Sequence, residues 1–314
     1  MNIYNIDVNH DYKNITVQFK DLVSDDGCLL LTGSRSVGLH NSKSDVDLVV
    51  ITTYHIPKIS DKGYIVKFID GYRVEALIIT PCDFKLNLEQ IQNYCVGYNM
   101  LPSYKFIYAK PLYNVANYTK LLEGFNWAKF KETKKNKVKD NILITYEDIN
   151  GSIISNDIYA SVFRSKSLLI QCMELYLISN NDYYDKLKFN HSRVNRNFSI
   201  PESSFALDYN NILMEGCTPL NYKDYIVKIF TFIKTILILE LFELEVNYAD
   251  KIYLYIVKNI NACYANNLNI GLSQNGDYFF INLNKAVKIN KEGLANLLIF
   301  GNIVNDFDLN EVIN

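Results

Sequence analysis

The sequence predicts an α+β protein: a small mixed β-sheet domain over residues 1–115, followed by a mainly helical bundle over 116–314. Three observations carry that prediction. Short strand signals alternate with turn residues through the first part of the chain. An Asp70-Gly71 pair separates two alternating runs, a strong local signal for a hairpin. Beyond them, long stretches with apolar residues at helical spacing dominate.

In chain order, 9–23 has helical spacing, with Tyr12, Ile15, Phe19 and Leu22 on one face and Asp25-Asp26-Gly27 ending it. Cys28–Thr32 is a short continuous apolar run, the pattern of a buried strand, and Gly33-Ser34 breaks it. A short helix is expected around Arg35–Leu39, and Val46–Ile51 reads as a second buried strand. Tyr64–Ile69 and Tyr72–Ile79 form the hairpin about Asp70-Gly71, and Thr80–Asn99 reads as a helix. The lysine-rich run Lys129–Lys139 marks a boundary or an exposed helix. Asp157–Ile178 is amphipathic, Tyr222–Val246 is apolar nearly all round, and Ala249–Asn266 is a further helix, which together suggest a bundle. A late hairpin is expected about Asn275-Gly276, between Ile270–Gln274 and Asp277–Asn282.

Composition narrows the function classes. The chain has 314 residues, 49% hydrophobic and 21% charged, so it can bury a sizeable core and is not disordered. Lys+Arg 32 against Asp+Glu 34 gives a net charge of −2 and a pI near 6.1, which argues against coating nucleic acid or an anionic membrane. The opening MNIYNIDVNHDYKN has no apolar core of a secretory signal. The most apolar stretch, 226–246, is interrupted by Lys228, Lys234, Glu240, Glu243 and Glu245, which a bilayer centre would not hold. The six cysteines (Cys28, Cys82, Cys95, Cys172, Cys217, Cys263) contain no CxxC pair, and the four histidines are dispersed. Reduced core cysteines in a cytoplasmic protein are expected, and no zinc site.

One segment carries chemistry: Leu29–Val50, which joins a buried strand, the Gly33-Ser34 turn, and Asp45-x-Asp47 at the start of the next strand. Residues two apart on a strand share a face, so Asp45 and Asp47 project together while Val46 and Leu48 face the core. Adjacent carboxylates repel unless a cation lies between them, and hard oxygen ligands at that density suit Mg²⁺ together with substrate phosphates. Glu75 interrupts the apolar strand Tyr72–Ile79, where an ionised carboxylate is costly unless paired or metal-bound. It is the expected third ligand, with Asp70 and Glu89 as nearby alternatives. Glycine at position 33 lets a phosphate approach the backbone, Ser34 adds a hydroxyl, and Arg35 adds charge.

The ordered set resembles the nucleotidyltransferase superfamily typified by DNA polymerase β: Gly33-Ser34, Asp45-x-Asp47 eleven residues after the serine, then a lone acid on a later strand. The GSRSVGL…SDVDLVV flavour is most similar to small bacterial members, the aminoglycoside-type and minimal nucleotidyltransferases, over roughly residues 10–110. The resemblance implies a palm-like catalytic sheet, a triphosphate held at Gly33 and Ser34, and two Mg²⁺ ions (or Mn²⁺) on Asp45 and Asp47. Glu75 would join one metal or activate the acceptor hydroxyl. It further implies transfer of a nucleoside monophosphate from an NTP, ATP first, with release of pyrophosphate.

The near-neutral charge favours a small-molecule acceptor, with a tRNA end, a protein side chain or a growing nucleotide oligomer as the alternative. A nucleotide-binding regulatory module without turnover is the second alternative. Superfamily members often bring a lysine from the helical domain to the β and γ phosphates; Lys186 is the candidate, or else a solvated loop charge. Lys166 lies inside the apolar arc of Ile158, Val162, Leu169 and Met173, so it snorkels outward or points into a cleft. The run Lys129–Lys139 reads as a solvated helix face, with a nucleic-acid patch as the alternative.

Overall fold

A computed structural model describes residues 12–55, 63–95, 102–198 and 204–259, and in the C-terminal part 270–272, 278–282, 285–288 and 290–291. The chain divides into two compact units, Met1–Thr133 and Lys134–Asn314.

The first unit is built on a five-stranded mixed sheet of β1 (Cys28–Thr32), β2 (Val46–Ile51), β3 (Tyr64–Ile69), β4 (Tyr72–Ile79) and β5 (Lys110–Tyr113), in the order β3-β4-β2-β1-β5. β2 and β4 run parallel and the other neighbours antiparallel. β1 is buried along its whole length, which its uninterrupted apolar run requires. The β3–β4 turn places both Asp70 (φ 50°) and Gly71 (φ 78°) in left-handed backbone, the mirror-image turn whose twist matches the two strands. One face of the sheet, carrying Leu29, Leu31, Val46, Leu48, Val50, Val74 and Ala76, packs on Ile15 and Phe19 of α1 (Lys13–Phe19).

Alternation then sends Asp47 and Glu75 to the opposite face. Helices α4 (Tyr104–Ile107) and α5 (Val115–Leu121) pack against β1, after the four-residue α2 (Gly33–Ser36) and α3 (Pro81–Tyr94). Phe84 of α3 meets Phe106 and Tyr118 edge-on, with ring centroids 5.6 and 6.3 Å apart. α3 starts one residue later than expected, because Thr80 is its cap: the hydroxyl accepts from the Asp83 amide while the Asp83 carboxylate accepts from the Thr80 amide. It ends at Tyr94, where Cys95 turns into left-handed backbone at φ 55°; positions 96–99 of the expected helix lie outside the described residues.

The second unit holds α7 (Ile158–Ser179), α8 (Asn190–Asn197), α9 (Phe205–Met214), α10 (Tyr222–Leu241) and α11 (Ala249–Asn259) about one apolar core. The long helix α6 (Trp127–Ile154) contains the unit boundary. α10 stops five residues short of the expected Val246, because Glu243 at φ 54° turns the chain. In the core, Arg193 donates to Glu174 and Asp182, and Arg196 and Asn197 also donate to Asp182. Burial raises the Asp182 carboxyl, but the Arg193 and Arg196 charges outweigh burial and hold it below its ordinary value.

The Lys129–Lys139 run is not uniformly solvated: Lys134 is buried and donates to the Tyr183 carbonyl and Asp185, and Lys135 pairs with Glu240. β6 (Ile270–Leu272) and β7 (Tyr278–Asn282) pair antiparallel as expected, with the Asn275-Gly276 turn outside the described residues, and β8 (Lys285–Lys288) extends that sheet. The five described cysteines are free; Cys28 and Cys172 are buried, whereas Cys82 is exposed, a departure from the expectation of core cysteines throughout. Among the described residues no helix is long and apolar enough to cross a membrane.

Candidate active site

The site is assembled at the end of the first unit's sheet where β2 and β4 begin side by side. Strand register does the positioning. Thr32, the last residue of β1, is the partner of Asp47 on β2, and Asp47 is in turn the partner of Glu75 on β4. Asp45 immediately precedes β2, two residues from Asp47 and on the same side. The ladder therefore sets Glu75, rather than Asp70 or Glu89, beside Asp47, with Asp45 at the entrance to β2. Asp70 sits in the hairpin turn and accepts from Asn14, and Glu89 lies on α3.

The turn after β1 closes against Asp47. Gly33 has φ +72°, and a Cβ built on it would lie 2.1 Å from Oδ2 of Asp47. No L side chain fits there, so the glycine allows the carboxylate to nest against the start of α2. Ser34, Arg35 and Ser36 are buried with it, and the Ser36 hydroxyl donates to the Gly33 carbonyl at 2.9 Å. Arg35 turns its guanidinium onto the backbone before β2: Nη2 donates to the Ser44 carbonyl at 2.8 Å and Nε to the Asp45 carbonyl at 3.2 Å. Its plane lies over the Tyr72 ring, 4.6 Å from the centroid. In this arrangement Arg35 holds the segment that carries Asp45.

Two cations that the sequence reading did not select meet the acids. Arg73 reaches Asp45 through Nη1 at 3.4 Å and Glu75 through Nη2 at 2.5 Å. Lys105, buried on α4, places Nζ 3.1 Å from Oδ1 of Asp47 and 5.4 Å from the centre of the Tyr64 ring. Arg73 was legible, since Arg73-x-Glu75 on a strand must share a face. Lys105 is 58 positions from Asp47 and carries no local signal.

The donor set suits a hard divalent cation: carboxylate oxygens only, arranged by strand register on one face, with a glycine cradle under one of them. With the side chains turned to Arg73 and Lys105, no group of three acidic, histidine or cysteine side chains among the described residues gathers closely enough to hold a metal.

The two lysines proposed from the sequence lie in the second unit. Lys166 donates to the carbonyls of Leu213 and Glu215, both at 3.1 Å, and so caps the C-terminal end of α9. Lys186 immediately precedes the 3-10 turn Leu187–Phe189.

Residues 13–98 match the family model described as the nucleotidyltransferase domain. No curated protein matches the chain. Among solved structures, a nucleotidyltransferase-like protein from Exiguobacterium sibiricum 255-15 is similar over 78% of this chain and 78% of its own, at 12% identity and a TM-score of 0.39.

Proposed function

We propose that the nucleotidyltransferase domain at residues 13–98 is catalytically competent and moves a nucleoside monophosphate from an NTP, with ATP first, to a hydroxyl of a small molecule. The observation that carries this reading is the alignment of Asp47 with Glu75 across the β2–β4 ladder, Asp45 beside them and Gly33 packed under the Asp47 carboxylate. In the reaction the acceptor oxygen forms a bond to the α-phosphorus, the bond to the β-phosphate oxygen breaks, and pyrophosphate leaves.

Asp45, Asp47 and Glu75 are the residues proposed to hold Mg²⁺, with two ions expected and Mn²⁺ able to replace them. Bound there, the metal supplies neutralisation of phosphate charge and a template for in-line displacement. The protein's own contributions are positioning and electrostatics. Gly33 and Ser34 admit the triphosphate close to the backbone at the turn. Arg35 fixes the Ser44–Asp45 backbone, so its role is to orient Asp45. Lys105 orients Asp47 by an ion pair held in a buried position, where geometry is less free to drift than on the surface. Glu75 is either a third ligand or the base for the acceptor hydroxyl; Mn²⁺ affinity of Glu75→Gln separates the two, falling well beyond the about tenfold that the lost charge alone accounts for only in the first case.

Lys186 and Lys166 are proposed for the polyphosphate on their charge alone. A raised KM for NTP in Lys186→Gln is the corresponding expectation. Residues 1–115 would then be the catalytic part and 116–314 the part that selects the acceptor. The near-neutral charge of the chain supports a small acceptor over a long polynucleotide.

The test is incubation with Mg²⁺ and each NTP in turn, with candidate acceptors, reading pyrophosphate release and the mass of both acceptor and protein. A nucleotidylated small molecule supports the reading. A mass gain on RNA or on the chain itself replaces it with a macromolecular acceptor. Tight Mg-NTP binding without pyrophosphate release across all acceptors replaces it with a non-catalytic nucleotide sensor.

A further inference from the structure

The acidic cluster holds two cations of different character. Lys105 is only 7% exposed in its side chain, lies next to the buried Phe106 on a helix packed against β1, and faces the Tyr64 ring. Arg73 has a side chain 48% exposed, at the start of β4, with its guanidinium spanning Asp45 and Glu75. Asp45 is itself 43% exposed. Ion pairs this open to water are individually weak, so the Arg73 bridge is easily exchanged for another cation.

The charge sum assigns a consequence to that difference. Three carboxylates with Arg73 and Lys105 in place leave one negative charge at the cluster. Swinging Arg73 out leaves two, which a divalent cation neutralises; with Arg73 retained, the same cation would leave the site positive. The two side-chain arrangements therefore compete for the same oxygens of Asp45 and Glu75.

We propose that Arg73 is a displaceable counter-ion, built into the acidic cluster, that sets the divalent-cation concentration at which the site fills. The proposal rests on the reading of Asp45, Asp47 and Glu75 as metal ligands. In the metal-free protein Arg73 keeps the carboxylates from repelling one another. When a divalent cation binds, the Arg73 side chain withdraws to solvent, and its positive charge is then positioned near the rim of the site.

The experiment is Mn²⁺ binding to the full chain, followed by electron paramagnetic resonance of free Mn²⁺, for the wild type, Arg73→Gln, Arg73→Lys and Asp47→Asn. Taking one positive charge from about 5 Å of a divalent ion in a water-like dielectric is worth about tenfold in affinity. Arg73→Gln is accordingly expected to bind Mn²⁺ about tenfold more tightly than the wild type. Arg73→Lys keeps a charge but cannot bridge two carboxylates, and should fall between them. Metal-free Arg73→Gln should also melt at a lower temperature than the wild type and gain more from saturating Mn²⁺.

Equal or weaker Mn²⁺ binding by Arg73→Gln, with the wild type binding in an Asp47-dependent way, overturns the counter-ion role and leaves the metal site standing. Binding that appears only in Arg73→Gln supports the role in its strongest form. Mn²⁺ binding in no variant, or binding unchanged by Asp47→Asn, overturns the metal-site reading and the counter-ion role with it.

Discussion

Substituting Gly33 by alanine tests the geometry of the site without removing a charged group. Two costs are separable. The first is backbone: φ of +72° places alanine in left-handed conformation, which costs about 1–2 kcal/mol. The second is collision, because the new methyl would lie 2.1 Å from Oδ2 and 2.8 Å from Cγ of Asp47. Moving that carboxylate off its rotamer costs about 0.5–1.5 kcal/mol more. The sum, about 1.5–3.5 kcal/mol, should appear as a lower urea midpoint for the transition that reports the first unit. The displaced carboxylate should also lower turnover by about 100-fold, the scale set by misplacing a reacting group by an ångström. A double-mutant cycle with Asp47→Ala isolates the second cost, since the alanine at 33 then meets no carboxylate. In the Asp47→Ala background the penalty should shrink to the backbone part. A full-sized penalty in that background, or a Gly33→Ala protein with wild-type stability and turnover, would refute the nesting of Asp47 on the turn.

Arg35→Lys should weaken the loop that carries Asp45, because an ammonium cannot reproduce the fork onto the Ser44 and Asp45 carbonyls; a loss of about 1.5–3 kcal/mol by denaturation is expected, with kcat falling more than KM rises. In the second unit, Asp182 is held below its ordinary pKa, so its contribution to stability is complete above about pH 4 and is lost as pH falls through the lower folded value. Melting curves across acid pH should show that loss in the wild type and a flatter profile in Asp182→Asn. Breaking the same network with Arg193→Ala should cost about 3–5 kcal/mol, the scale for orphaning buried charges. Among the described cysteines, thiol labelling of the folded chain should reach Cys82 first: Cys28 is buried, its thiol pushed up by burial to about 12, and should react only on unfolding.

The N-terminal sheet was legible because its signals are local. β1 buries a continuous run and β2 buries Leu48–Ile51 behind Asp47, and the turn Asp70-Gly71 fixes the hairpin, so all four strands from Cys28 to Ile79 fall where the pattern puts them. Strand alternation alone placed Asp45 with Asp47. Their juxtaposition with Glu75 required the parallel β2–β4 pairing, which no local pattern contains. β5 was missed for a related reason: Lys110–Tyr113 is four residues long and gains its place only by pairing with β1. Helix α6 was obscured by Lys134, a buried lysine four residues after the buried Phe130. An ion pair with Asp185 fills that inward position, so the apolar period breaks at a buried turn of the helix. Arg35 shows the limit of residue type as evidence: an arginine after a Gly-Ser turn suits a phosphate, yet its donors go to main-chain carbonyls.

We propose that Asp47, set beside Glu75 by the β2–β4 register, makes this domain a working nucleotidyltransferase. Pyrophosphate release from Mg-NTP, measured for the wild type and Asp47→Ala with folding checked by circular dichroism, tests it most directly. Release by the wild type is expected, with a loss of about 100-fold to 1,000-fold in the variant, the scale for removing one preorganised electrostatic group. Wild-type turnover in a folded Asp47→Ala protein would contradict it.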